Sequence, residues 1–164
     1  MVANINQITQ LSQDLQPIAS SIQTGETVIA KRQQNPFEPV IRGFSEIINV
    51  AQRDIENMDG TGKYPDAEAQ QVCNAFSTFV VVHQRLLNIV IGKSGLLEGI
   101  FLGPVAAVLR SLESTVDTLA FGIIDSVPGC QADATTKLES LDVTLGKAVC
   151  AYTPGGSLGV NVFC

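Results

Sequence analysis

Apolar residues recur along this chain at gaps of three and four, in five series cut apart by proline and glycine, and that spacing commits it to α-helices that each bury one face. The first series, Ile5, Ile8, Leu11, Leu15, Ile18 and Ile22, lies opposite Gln, Ser and Asp side chains and predicts an amphipathic helix over residues 1–23. Pro17 falls inside it and cannot donate its backbone hydrogen bond, so a kink is expected there, costing about 3 kcal/mol unless packing offsets it. Residues 24–39, with Gly25, Pro36 and Pro39, read as a loop holding a short helical piece.

A second stripe, Phe37, Val40, Ile41, Phe44, Ile47, Ile48, Ala51, Ile55 and Met58, runs until the turn chemistry of Asp59-Gly60-Thr61-Gly62 stops it. Pro65-Asp66 opens the third helix, whose stripe is Val72, Phe76, Phe79, Val80, His83, Leu86, Leu87, Val90 and Ile91, and Gly92 and Gly95 end it. Between Gly92 and Gly103 lies a glycine-rich connector bearing Leu96, Leu97, Ile100, Phe101 and Leu102, apolar residues that must cover something apolar. Pro104 is expected to start a fourth helix through Val105, Val108, Leu109, Leu112, Val116, Leu119, Ile123 and Val127, ended by Pro128-Gly129. The fifth begins near Cys130 or Ala132, carries Leu138, Leu141, Leu145, Val149 and Tyr152, and stops at Pro154-Gly155-Gly156. The fold class is therefore all-α, an up-and-down bundle of about five helices with a tail over 153–164.

At 164 residues the chain fits one domain, 1–164, with one core. Hydrophobic residues make up 45% of it, yet no uninterrupted apolar run approaches the roughly 18–20 residues of a membrane span; Phe79 to Ile91 is broken by His83, Gln84, Arg85 and Asn88. The net charge of −6 and the scatter of the basic residues argue against nucleic acid as a partner. Cys73, Cys130, Cys150 and Cys164 have no C-x-x-C spacing, which disfavours a zinc or redox site and favours two disulfides formed in an oxidising compartment. Four cysteines allow three pairings. In an antiparallel bundle the odd-numbered helices start at one end, which places Cys73 beside Cys130 and leaves Cys150 for the tail at Cys164. A secreted protein whose signal peptide has been removed is the expectation that follows.

Catalytic chemistry finds little support. His83 is the chain's single histidine and sits on an apolar stripe, where a hydrogen-bonded structural role outweighs a catalytic one. Glu46 with Glu113, or Asp54 with Asp117, would make carboxylate pairs across helices, but all four read as solvated-face residues. No calcium-loop spacing occurs, and Gly92-Lys93-Ser94-Gly95 follows a helix where a phosphate loop would follow a strand. No metal and no cofactor is expected.

The stretch Phe79-Val80-Val81-Val82-His83-Gln84-Arg85-Leu86-Leu87-Asn88-Ile89-Val90-Ile91-Gly92-Lys93-Ser94-Gly95-Leu96-Leu97 resembles the helix-then-IGK segment of the fungal hydrophobic-surface-binding protein A and cell-wall galactomannoprotein family. The likeness runs on through the Leu-rich helix from Pro104 to Val127, with Asp117, to a final helix closing on Ala151-Tyr152. The four cysteines, Pro17 and the tail from Pro154 to Cys164 depart from that pattern. The resemblance implies a secreted, non-catalytic bundle that adsorbs to hydrophobic surfaces and recruits polymer-degrading esterases, or that holds a fatty acid in a central cavity. For the carrier, Phe44, Phe76, Val80, Leu87, Leu97, Phe101, Leu109 and Leu112 are the expected lining, with His83, Lys93 or Arg110 as donor to a carboxylate head group. For the adsorber, the first helix and the Leu96 to Leu102 connector are the expected contacts. A secreted interaction protein or effector is the third possibility.

Overall fold

The computed structural model describes residues 1–23, 35–58, 63–96 and 99–153, and of residues 99–101 the backbone alone. Five helices carry the chain: α1 (Val2–Ser20), α2 (Glu38–Met58), α3 (Asp66–Gly92), α4 (Gly99–Ser126) and α5 (Gln131–Tyr152). Single 3₁₀ turns, Ser94–Leu96 and Pro128–Cys130, lead into α4 and α5. Among the described residues there is no strand.

Local chemistry accounts for the ends. Asn35 accepts a hydrogen bond from the Phe37 amide through Oδ1, at 2.9 Å, and Pro39 stands in the first turn of α2, where a missing amide hydrogen costs nothing. Pro17 does not end α1, which continues to Ser20. The expected start of the fourth helix is corrected: α4 begins at Gly99, so Gly103 and Pro104 are inside it. Pro104 forgoes only its own bond to the carbonyl four residues back, and the apolar stripe beyond it holds the helix against the core.

The buried face of α1 differs from the expected series. Ile5, Ile8, Ser12, Leu15, Ala19 and Ile22 are buried, Leu11 is half-buried, and Ile18 is 41% exposed. Ser12 and Ala19 occupy the positions that continue gaps of three and four, and their small side chains let neighbouring helices approach. Gly43 does the same from α2, since a Cβ there would overlap the Leu15 side chain.

The packing closes into a ring. α1 lies against α2 and α3, α3 against α5, α5 against α4, and α4 against α2, giving the order 1-3-5-4-2. Five cylinders about 10 Å across and 9–10 Å apart leave an axial gap of about 6 Å, against about 3 Å for four. Here aliphatic and aromatic side chains from all five helices fill it. The outer seams are stitched by polar groups: Gln16 Nε2 donates to the Val82 carbonyl, at 3.2 Å, and Gln84 Nε2 to the Ser140 carbonyl, at 2.9 Å. At one end the Tyr64 amide donates to the Ser126 carbonyl, and Cys73 is bonded to Cys130 across a Cα separation of 6.6 Å. At the other, Lys93 Nζ donates to the carbonyls of Ser20 and Ile22, and the Tyr152 hydroxyl to that of Val90. The Cys73–Cys130 pairing is the one that helix direction demanded. The second expected bond, from Cys150 to Cys164, ends on a residue outside those described, as do residues 154–163 of the tail.

By length and mean hydropathy, Asp66–Leu96 would suit a membrane span. In this fold it is one stave of the ring, with Val72, Cys73, Phe76, Phe79, Val80, His83, Leu86, Leu87 and Val90 facing the core.

The Cys73–Cys130 bond spans 57 residues, so replacing both cysteines by serine is expected to lower stability by about 2–4 kcal/mol. Chemical denaturation with and without the bond measures this, with helical circular dichroism retained under native conditions.

Candidate functional site

Among the described residues the buried polar side chains are Thr9, Ser12, Asp54, His83, Thr115 and Ser126, and two of them meet in the core. His83 on α3 and Ser12 on α1 are both fully buried, with His83 Nδ1 2.8 Å from Ser12 Oγ. Ser12 Oγ also donates to the Ile8 carbonyl one turn back, at 2.9 Å, as Thr9 does to Ile5. The second ring nitrogen, Nε2, has no hydrogen-bond partner. Burial pushes the imidazole pKa down to about 4, so the ring is neutral near pH 7. Aromatic rings surround it: Phe79, one turn away on the same helix, at 5.1 Å between centroids, and Phe44 at 6.3 Å. Phe44 belongs to α2, which is not a ring neighbour of α3, so this contact is made inside the ring, behind α1.

The expected lining residues divide accordingly. Phe44, Phe76, Val80, His83, Leu87, Leu109 and Leu112 are buried, 0–1% exposed, on three staves of the ring. Lys93 is not in that group; its ammonium caps the C-terminus of α1. Arg110 is exposed and donates from Nη2 to Thr153 Oγ1 at 3.1 Å, tying the middle of α4 to the end of α5. Leu97 and the Phe101 side chain lie outside what is described. Sequence reasoning missed Ser12, whose signal was its place in the run of threes and fours.

Ser12 with His83 has the elements of a nucleophile and its base. The serine proton is engaged by the Ile8 carbonyl, neither residue reaches solvent, and no carboxylate meets Nε2. The pair is a polar point in a lipid-like interior.

Two carboxylate readings need correction. Asp54 is 7% exposed rather than solvated, and its Oδ2 has no partner. It lines a cavity of about 140 Å³ with Met1, Asn4, Ile5, Asn57, Met58, Tyr64 and Leu119, below the roughly 300–1,000 Å³ of ordinary small-molecule sites. Burial raises its pKa, partly opposed by the chain's amino terminus and Arg53. Asp117 and Glu113 are half-buried, and the carboxyl that Asp117 meets is Asp142 on α5, across the α4–α5 seam. Desolvation first, then the Asp117 charge, raise Asp142 to about 6. Glu46 is exposed as expected.

The exposed large apolar side chains, Ile18, Val81, Phe121 and Val143, stand on four different helices. Of the Leu96 to Leu102 connector proposed for surface contact, residues 99–102 are the first turn of α4, and residues 97 and 98 and the side chains of 99–101 lie outside what is described. Among those described, no group of three or more metal-ligating side chains occurs.

These features define a class: a five-helix ring closed around an apolar axis. Among solved structures, that fold is shared by AfMP4p, crystallised in complex with palmitic acid, with a TM-score of 0.77 over 93% of this chain and 97% of that one. Identity is 15%, so the likeness establishes the fold. No family model and no curated protein sequence matches the chain.

The buried acids and the histidine titrate in opposite senses. Asp142, raised from 3.8 to about 6, binds its proton more tightly when folded, so its burden is absent below pH 4 and complete above pH 6. Asp142→Asn is expected to stabilise the protein at pH 7 by about 1 kcal/mol after solvent screening, and to be neutral at pH 3.5. His83, lowered from 6.5 to about 4, contributes stability that is present above pH 6.5 and lost as pH falls toward 4, up to about 3 kcal/mol. Denaturation midpoints across pH 3.5–7.5 for wild type, Asp142→Asn and His83→Phe test both slopes.

Proposed function

We propose that this protein holds a single-chain lipid of the fatty-acid kind along the axis of its helical ring, and that it is a non-catalytic carrier of the hydrophobic-surface-binding and galactomannoprotein family. One observation carries the reading: five helices close around an apolar axis filled by side chains, with the fully buried pair Ser12 and His83 among them. Support comes from AfMP4p, which has this fold and was crystallised with palmitic acid. The sequence resemblance to the family points the same way. The Cys73–Cys130 bond supports secretion into an oxidising compartment.

In this reading the structure is the closed form. Phe44 occupies the axis opposite His83, and an acyl chain enters by displacing that ring, exchanging one buried apolar surface for another. Lys93 and Arg110 bind the ends of α1 and α5 from outside the core rather than meeting the ligand's head.

Native mass spectrometry of the purified protein is expected to show a discrete bound mass that organic extraction removes. The extracted protein should regain stability when palmitic acid is added, by about 2.7 kcal/mol at a hundredfold excess over Kd. An unliganded mass together with unchanged melting over that range would overturn the carrier reading, and loss of such protein onto polyester beads would favour surface adsorption.

A further inference from the structure

The Ser12–His83 pair restricts the ligand's head group more narrowly than an apolar axis does. The Ile8 carbonyl can only accept, and when the serine proton is given to it, at 2.9 Å, Ser12 Oγ faces His83 Nδ1 as an acceptor. In that arrangement Nδ1 carries the proton of the neutral imidazole. Nε2 is left as a bare lone pair, fully buried and without a partner, in a ring packed between Phe79 and Phe44. A buried acceptor with nothing to accept is a standing cost, since it gave up water on folding and received nothing in return. Phe or Leu would fill the same space without it.

We propose that His83 Nε2 is the polar anchor of the axial lipid site and accepts a hydrogen bond from a neutral head group bearing an O–H, a hydroxyl or an undissociated carboxyl. The inference rests on the carrier reading and specifies its ligand class. A carboxylate would bring its lone pairs against that of Nε2 in a medium of low dielectric constant, and an ester or alkane has no proton to give. Long-chain alcohols and other hydroxyl-bearing single-chain lipids fit directly; a fatty acid fits once it has taken up a proton. Ser12 is a positioning residue, because its bond to Ile8 fixes which ring nitrogen is free.

The test compares dodecanol, dodecanoic acid, methyl dodecanoate and dodecane at pH 8, by calorimetry on the full chain. Dodecanol is expected to bind about tenfold more tightly than methyl dodecanoate or dodecane, the worth of one hydrogen bond made to an otherwise unsatisfied group. In ¹⁵N spectra of the labelled ring, dodecanol should shift the Nε2 resonance and leave Nδ1 nearly unchanged. His83→Phe, or His83→Leu if the phenylalanine does not pack, should bind dodecanol and dodecane alike. Ser12→Ala frees the ring to carry its proton on Nε2, and the ester should then gain on the alcohol. Equal binding of all four ligands by wild type, or an Nε2 resonance unmoved by bound dodecanol, overturns the anchor and leaves the carrier reading intact. Dodecanoic acid binding more than tenfold better than dodecanol at pH 8 overturns the neutral head. Failure of all four to bind overturns the carrier reading itself.

Discussion

Each helix in this protein has one apolar stripe and two neighbours, and those conditions are met together only by closing the five into a ring around a common axis. Four helices would close more tightly and leave little to fill; five leave a gap that must be occupied, by side chains or by something else. The aliphatic composition, with no tryptophan and few aromatic residues, follows from that geometry. Leu, Ile and Val from neighbouring staves interdigitate to fill a narrow axial space, and phenylalanine appears where a side chain must reach across it. Phe44 is such a residue, touching a helix its own does not pack beside.

The helices and most of their ends were legible because proline, glycine and the Asp59–Gly62 turn punctuate long periodic series. The end at Met58 and the span Asp66–Gly92 follow from them directly. The start of α4 did not, because Pro104 reads as a first-turn proline, while the helix had already begun at Gly99. Backbone hydrogen bonding tolerates one missing donor when the following stripe is deeply buried, and a local rule gives way to that tertiary gain. The face of α1 was misread for another reason. Counting only large apolar residues selects Leu11 and Ile18, whereas the heptad-like gaps select Ser12 and Ala19. Size and polarity at those two positions record how near the neighbours come, which a hydrophobicity pattern cannot express.

The candidate site was half legible. Seven of its expected residues converge in the core, because every residue on a buried stripe of a ring points toward the same axis. The charged ones did not join them. Lys93 and Arg110 have long stems that reach the ends of α1 and α5, where exposed carbonyls and a threonine hydroxyl offer partners without desolvation. Asp54 shows the opposite failure: a carboxyl on the core stripe of α2, at the spacing of Ile47 and Ala51, whose charge made it look solvated. Its spacing was the better guide.

The order of the staves also fixes how the ring is completed as the chain emerges. Every substantial contact joins helices that are consecutive or one apart in sequence, so α3 can settle on α1, and α4 on α2, before α5 exists. Until then the molecule is a trough, its greasy floor open along the slot between α3 and α4. α5 is the stave that fills the slot, and Cys130, at its root, is anchored to Cys73 on one wall. Addition of α5 thus turns an adhesive half-pipe into a sealed tube, and a chain cut short before it would leave the ribosome with its axis exposed along its whole length.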